Sequence, residues 1–332
     1  MKKIFSILLA IVLIASVLVA FVGCDNKNET PTTTFTITAP DGAPALALGK
    51  VLEGNSPNGV KMKTQVVSTT ELSAAVLKSD YAIVPANLAV NLLNKGKQIK
   101  LLSVVTNGNI YVVGNMNNQT SLQDMVGKVV YSIGQGSVPD MIFQSVLRAK
   151  GIEYVTSDSP VEGKIAIKYV SAGGQGIQSI MADKSKGISS YAVLGEPAVG
   201  VAKSKGATEQ FDLQAEWQAV SGESQKGFAQ AVLIAVGERS KDDVNNKKMV
   251  EIFEQNDSYV VQNSQSVIEK IKEVYPSTSL PSTLPVSVVE RCNIKTLRAS
   301  ANKSYIDKTL EAIMQINPQA LGGKLPPADF YF

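Results

Sequence analysis

The sequence predicts an α/β protein made of two similar lobes that face each other across a cleft, and two repeated stretches with the chain length carry that reading. Tyr81-Ala82-Ile83-Val84-Pro85-Ala86, leading on to Lys95-Gly96, is echoed by Tyr191-Ala192-Val193-Leu194-Gly195-Glu196-Pro197-Ala198, leading on to Lys205-Gly206. Each reads as a short apolar strand that breaks at a Pro-containing loop and enters a helix. The chain has 332 residues, more than one hydrophobic core usually serves, so two domains are expected.

Phe35-Thr36-Ile37-Thr38 alternates like a strand, the loop Ala39 to Pro44 follows, and Ala45 to Leu52 supplies a helix closed by Gly54. Val60 to Val67 is a second strand, and Ser68-Thr69-Thr70-Glu71 fits a capping box opening a helix over Leu72 to Lys78. Tyr81 to Val84 and Asn87 to Asn94 form the third strand and helix. Units alternating at this spacing imply a mostly parallel sheet with helices on both faces.

The strand Ile99 to Val105 runs through Thr106-Asn107-Gly108-Asn109 into Ile110 to Val113, and a second series repeats the order of the first. Its members are the strand Lys128 to Ile133, the loop Gly134 to Ser137 and a helix Pro139 to Lys150, then the strand Ile165 to Val170, the loop Ser171 to Gly176, a helix Ile177 to Ala182 and the strand Tyr191 to Leu194. Ala229 to Val236 reads as a buried strand that returns the chain to the first lobe, and helices are expected at 241–263, 264–273, 285–295 and 303–315. The expected division is 35–109 plus 231–332 for lobe 1 and 110–230 for lobe 2, with crossings near 107–110 and 220–231.

Ahead of these, Lys2 and Lys3 precede an apolar run from Ile4 to Val22, followed by Gly23-Cys24, which describes a secretory signal over residues 1–23. The Gly23-Cys24 junction resembles a bacterial lipobox, so Cys24 is expected to carry lipid, and the polar stretch that follows, to residue 34, to act as a tether. The chain has 32 basic and 29 acidic residues, and removing the signal takes two lysines and no acids. A nearly neutral body argues against nucleic acid as partner. There is no histidine, which removes Ser-His-Asp and Cys-His nucleophile pairs and His-ligated metal. Cys292 has no partner if Cys24 is acylated, so neither a disulfide framework nor a multi-Cys zinc site is expected. Gly134-x-Gly136 lacks the third glycine of a dinucleotide fingerprint, Pro139 standing there, and no cofactor is expected.

Loops at the carboxyl ends of strands gather ligands in open α/β sheets. The candidate ligand residues are therefore Asp41, Gly42 and Ala43; Ser68, Thr69 and Thr70; Asn87; Asn107 and Gly108 of the first crossing; Gln135, Gly136 and Ser137; Gly174 and Gln175; Glu196; and Trp217. Each has a plainer role open to it. Asp41 and Asn87 are good helix caps, Ser68 and Glu71 can satisfy each other, Glu196 can be a solvated turn carboxylate, and Trp217 can be core rather than a stacking wall. The loops offer amides, hydroxyls and carboxylates with no Arg or Lys among them. With Asp41 and Glu196 in one cleft, a neutral or partly cationic polar molecule is expected in preference to nitrate or a sulfonate. A cleft enzyme using Asp41 or Glu196 as general base, and a ligand-sensing surface lipoprotein, are the alternatives.

The order of several motifs resembles solute-binding lipoproteins of ABC importers, in the branch that binds nitrate, taurine, aliphatic sulfonates and thiamine precursors. The carriers are Ala39-Pro40-Asp41-Gly42-Ala43-Pro44-Ala45-Leu46-Ala47, Val84-Pro85-Ala86-Asn87-Leu88-Ala89, Leu122 to Lys128, Gly195-Glu196-Pro197-Ala198 and the tail Gly322 to Tyr331. The resemblance implies a type II periplasmic-binding-protein-like clamp with two interlobe strands and no catalysis. It also implies a monomer anchored through Cys24 on the extracytoplasmic face of the cell membrane, passing a small-molecule ligand to an ABC permease. One relative of that branch consumes an active-site histidine, and with no histidine here that chemistry is not expected.

Overall fold

Among residues 33–332, which a computed structural model describes, the strands form two six-stranded sheets. The first run of the chain gives β1 (Thr34–Pro40), α1 (Gly49–Leu52), β2 (Lys61–Val67), α2 (Leu72–Val76), β3 (Tyr81–Pro85), α3 (Ala86–Asn94) and β4 (Ile99–Thr106). The second gives β5 (Ile110–Gly114), β6 (Val129–Ile133), α4 (Val138–Ala149), β7 (Tyr154–Thr156), β8 (Ile165–Val170), α5 (Gly173–Ser185), β9 (Tyr191–Gly195), α6 (Ala198–Ser204), β10 (Thr208–Asp212) and α7 (Leu213–Ser221). The chain closes with β11 (Ala231–Val236), α8 (Asp243–Gln262), α9 (Ser264–Val274), α10 (Val286–Arg291), β12 (Ile294–Arg298) and α11 (Lys303–Ile316). The expected signal, Cys24 and most of the tether lie outside the described residues.

The first sheet has the order β12-β4-β11-β3-β1-β2 and the second β10-β5-β9-β6-β8-β7. The expectation of mostly parallel sheets is corrected to mixed ones: β1 is parallel to β2 and β3, but β11 runs antiparallel to both β3 and β4, and β5 antiparallel to β9 and β10. The reason is the double crossing. A strand that leaves the first sheet and one that returns to it run in opposite senses, so the returning β11 inserts antiparallel between its neighbours.

Two further differences have local causes. The run expected as a helix over 285–295 ends at Arg291, because Asn293 adopts φ 52, and Ile294–Arg298 becomes an edge strand on β4. Its alternation is broken by Thr296, whose N–H and hydroxyl both donate to the Asp257 carboxylate on α8. The helix expected over Ala45 to Leu52 is a 3₁₀ turn, Ala43–Leu48, running into the single-turn α1, with Pro44 at its start. Strands β7 and β10 had no counterpart in the sequence reading.

Each sheet buries both faces. Leu102, Val105, Leu233 and Phe253 form a core beneath the first sheet, and Tyr111, Val113, Ala192 and Leu194 one beneath the second. A third core is continuous through both lobes, joining Val84 and Leu101 to Ile142, Trp217, Ile306 and Leu310. It runs where α11 packs on α4, so the last long helix of the chain lies against the second lobe.

Candidate functional site

Strand register places the carboxyl end of a central strand of each sheet at the crossings. Ala231 at the start of β11 sits between Pro85 at the end of β3 and Thr106 at the end of β4, while Ile110 at the start of β5 sits opposite Gly195 at the end of β9. The carboxyl ends of β3 and β9 therefore both abut the crossings. Because β1 and β2 follow the sense of β3, and β6, β8 and β7 that of β9, the two parallel sets direct their carboxyl ends toward each other.

The crossings are tied to one another by a reciprocal amide pair. Gln230 Nε2 donates to Asn109 Oδ1 (3.0 Å) and Asn109 N–H donates to Gln230 Oε1 (3.2 Å). Gln214 accepts from the Ile110 N–H at 2.8 Å, and Asn293 donates to the carbonyls of Asn107 and Gly108. Gly108 and Gly227 hold φ +82 and +113, and a Cβ on Gly227 would lie 2.2 Å from the Asn107 carbonyl oxygen. Only glycine lets the two crossings approach so closely. Asn107 and Gly108 are accordingly buried in this junction, with the Asn107 amide donating to the Lys295 carbonyl.

In lobe 1, Asp41 does not cap the first helix. Gly42 is the cap residue, and the Asp41 carboxylate instead accepts from the Thr278 hydroxyl and the Ser279 N–H (2.8 Å), tying down the Pro-rich 275–285 segment. Ala43 is buried, and Gly42 carries φ +92. Ser68 and Glu71 do satisfy each other, the Ser68 hydroxyl donating to Glu71 at 2.6 Å. The box does not close, however, because α2 starts after Glu71 with no side-chain cap. Thr69 and Thr70 are exposed. Asn87 is not a cap either, since Pro85 holds that position. Its Oδ1 is buried without a hydrogen-bond partner at the cleft end of α3.

In lobe 2, Ser137 caps α4, its Oγ accepting from the Asp140 N–H at 3.4 Å, which matches the capping role open to these loops. Asp140, which the sequence reading passed over, organises this corner. It is 1 % exposed, accepts from the Gly136 N–H (2.8 Å) and from the Tyr169 hydroxyl (3.0 Å), and so links the loop after β6 to strand β8. Burial pushes its carboxyl above the usual carboxylate range, against the pull of those hydrogen bonds. Gln135 and Gly174 are exposed, and Gln175 accepts from both the N–H and the hydroxyl of Ser171 at 2.9 Å.

Glu196 is neither a solvated turn carboxylate nor a free ligand group. Its side chain is 1 % exposed, and Arg291 Nε donates to it at 2.6 Å while its other oxygen accepts from the Gly200 N–H at 3.1 Å. Arg291 also pairs with Glu209 at 2.8 Å and lies 3.8 Å from the Tyr111 ring centroid. No local pattern pairs Arg291 with Glu196, because the arginine closes a helix about a hundred residues downstream in the chain. Trp217 is 5 % exposed and belongs to the shared core, beside a surface groove of about 240 Å³ lined by Ser145, Val220, Lys308 and Gln315. It stands on the flank of the crossings, apart from the loops at the strand ends.

The loops at 41–43, 68–70 and 86–87 thus follow the parallel strands of the first sheet and those at 134–137 and 171–175 the parallel strands of the second, while both expected cleft carboxylates are engaged by protein partners. Among the described residues no three His, Cys, Asp or Glu side chains are grouped as metal ligands, and no helix is long and apolar enough to cross a membrane.

No protein-family model matches the chain, and no curated protein matches it in sequence. Solved structures do. The crystal structure of an ABC transporter from Parabacteroides distasonis is 25 % identical, superposes with a TM-score of 0.70, and the match covers 90 % of this chain and 98 % of that one. The periplasmic aliphatic sulphonate binding protein SsuA from Escherichia coli superposes at 0.63 with 13 % identity, over 90 % of this chain and 91 % of that one. The ligand binding component of an ABC-type import system from Staphylococcus aureus, crystallised with zinc, superposes at 0.55 with 14 % identity, over 90 % and 96 %. At these identities the likeness to the last two is one of fold: two α/β lobes of the periplasmic-binding type.

Proposed function

We propose that the chain is the extracytoplasmic solute-binding lipoprotein of an ABC importer, taking one small polar organic molecule between its lobes without transforming it. The observation that supports this most is the pair of opposed loop rims at the carboxyl ends of two parallel strand sets, joined by two hydrogen-bonded crossings. The architecture it belongs to is shared over nearly the whole length of an ABC transporter structure. Two tethered lobes with a hinge between them can meet a ligand from both sides and present a different surface when loaded, which is what a permease needs in order to tell full from empty.

With the Ser68 hydroxyl held by Glu71, the groups left to meet a ligand are the Thr69 and Thr70 hydroxyls, the Asn87 amide, the amides of Gln135 and Gln175, the Ser137 hydroxyl and the backbone N–H groups that open α4 and α5. The expectation of a neutral or cationic ligand rested on two free carboxylates. Asp41 and Glu196 are both engaged, so that ground is gone, and the loop chemistry supports small polar molecules irrespective of sign. The same engagement tells against the enzyme alternative, because neither carboxylate is placed to act as a general base.

Membrane anchoring through Cys24 is part of the proposal and rests on the sequence alone. Metabolic labelling with a clickable palmitate should mark the chain and leave the Cys24→Ser variant unmarked. Thermal stabilisation by one of a panel of small polar solutes, saturating at one per chain and with no product formed, is the expected result for capture. Turnover of the bound solute, or undiminished uptake of it in a deletion strain, would overturn the reading.

A further inference from the structure

We infer that Arg291 is a latch between the lobes, fixing their relative orientation from outside the ligand's contact shell. Arg291 ends α10, a helix of the first lobe packed on α8 through Val289 and Cys292. Its guanidinium is received by the second lobe: Nε by Glu196 at 2.6 Å, Nη2 and Nη1 by Glu209 at 2.8 and 3.3 Å, and its face by the Tyr111 ring at 3.8 Å. Those partners come from the end of β9, from β10 and from β5, so one side chain spans three adjacent strands of the opposite lobe. Val288, one turn earlier, would meet a Cβ on Gly200 at 3.4 Å, so the helix itself touches α6.

The contact is centred on charge where the other lobe contact is centred on apolar packing, with polar bonds such as Lys308 Nζ to the Ser221 carbonyl at its rim. On the opposite flank α11 meets α4 and α7 through Ile306, Leu310, Ile313 and Trp217, an apolar surface that tolerates small sliding. The Arg291 cluster does not: fork geometry and stacking hold in one orientation, and a rotation that withdraws α10 takes the guanidinium from the buried Glu196 carboxylate, leaving it the Gly200 N–H. Glu196 also accepts from the Gly200 N–H and, through its carbonyl, from the Asn109 amide, so it cannot follow Arg291 without disturbing the crossing. Any lobe orientation that a ligand favours is therefore weighed against this cluster, and the apparent affinity carries the population of the competent orientation. The ligand consequence rests on the capture reading; the latch itself does not.

The test reads lobe separation with no ligand. In the full chain carrying Cys24→Ser, Lys63→Cys on β2 and Glu162→Cys in the second lobe take spin labels while Cys292, fully buried with its thiol pushed up to about 12 by burial, stays unlabelled. Pulsed dipolar spectroscopy should give one dominant distance for the parent, and a second population or a shifted one for Arg291→Met. Arg291→Lys should fall between them, because an ammonium cannot bond both carboxylates and stack. Glu209→Gln, which keeps Glu196 paired, covers the case in which Arg291→Met does not fold, and it should broaden the distribution in the same direction. Unchanged distances in cooperatively folded Arg291→Met, or in Glu209→Gln if that is the one that folds, would overturn the latch. Failure of ligand capture would leave these distances untouched, so the two readings fail separately.

Discussion

The two flanks of the interlobe crossings are built from opposite chemistry. On one, α11 lies on α4 and α7 in a core that continues from lobe to lobe, and ion pairs such as Lys308 with Glu223 at 3.3 Å only rim it. On the other, α10 meets the second sheet through a single guanidinium, two carboxylates and a tyrosine ring. Apolar packing supplies adhesion without fixing an angle, whereas the charged cluster fixes an angle and is costly to half-dismantle. A clamp needs both: a joint that does not come apart and an element that prefers one setting of it.

Truncating the apolar flank is expected to have the largest effect. Trp217→Ala removes a 5 % exposed indole from the shared core and should cost about 3–5 kcal/mol, read as a lowered guanidinium midpoint. Biphasic unfolding would show that the core is two cores after all. The crossing itself comes next. Gly227→Ala forces a Cβ to 2.2 Å from the Asn107 carbonyl at a φ of +113, and should cost roughly 2–4 kcal/mol; a loss well under 1 kcal/mol would mean the junction is loose.

On the charged flank, Glu196→Gln keeps the shape and leaves Arg291 its Glu209 partner, so a smaller loss of about 1–2 kcal/mol is expected in the same unfolding assay. Asp140 sharpens the comparison from the cleft end of α4. Its carboxyl titrates above its unfolded value because burial disfavours the charge, so the folded state holds that proton more tightly. Its contribution is fully present below the unfolded pKa and is lost as pH rises through the raised folded pKa. Asp140→Asn should remove that slope from stability measured as pH rises from the ordinary carboxylate range upward, and an identical slope in both chains would place the titration elsewhere. Lys308→Met should have the smallest effect, within about 1 kcal/mol, because this rim pair is partly solvated.

Much of the frame is legible because it is local. The β-α alternation, the paired Tyr-Ala strands, the Gly and Pro breaks and the returning strand near Ala231 all follow from period and turn chemistry. Local readings failed where a distant partner decides. Thr278 and Ser279 take Asp41, and Arg291 takes Glu196, across separations no window spans. The edge strand Ile294–Arg298 was hidden because Asp257 captures Thr296 and breaks its alternation. Asn87 looked like a cap since its residue type favours one, yet the helix starts one residue earlier, and the Oδ1 left without a partner is the more informative fact. Arg291 carried one usable sign: an arginine closing a short helix in a chain whose candidate loops hold carboxylates and no cation.

Native mass spectrometry of the full chain, purified from its own cells without refolding, tests the central claim most directly. The account predicts a species heavier than the bare chain by one small polar molecule, released on denaturation, and diminished when Asn87 and Ser137, at strand ends of the two sheets, are replaced by alanine. A bare chain throughout, together with a melting temperature unmoved by any of a broad panel of small polar solutes, would contradict it.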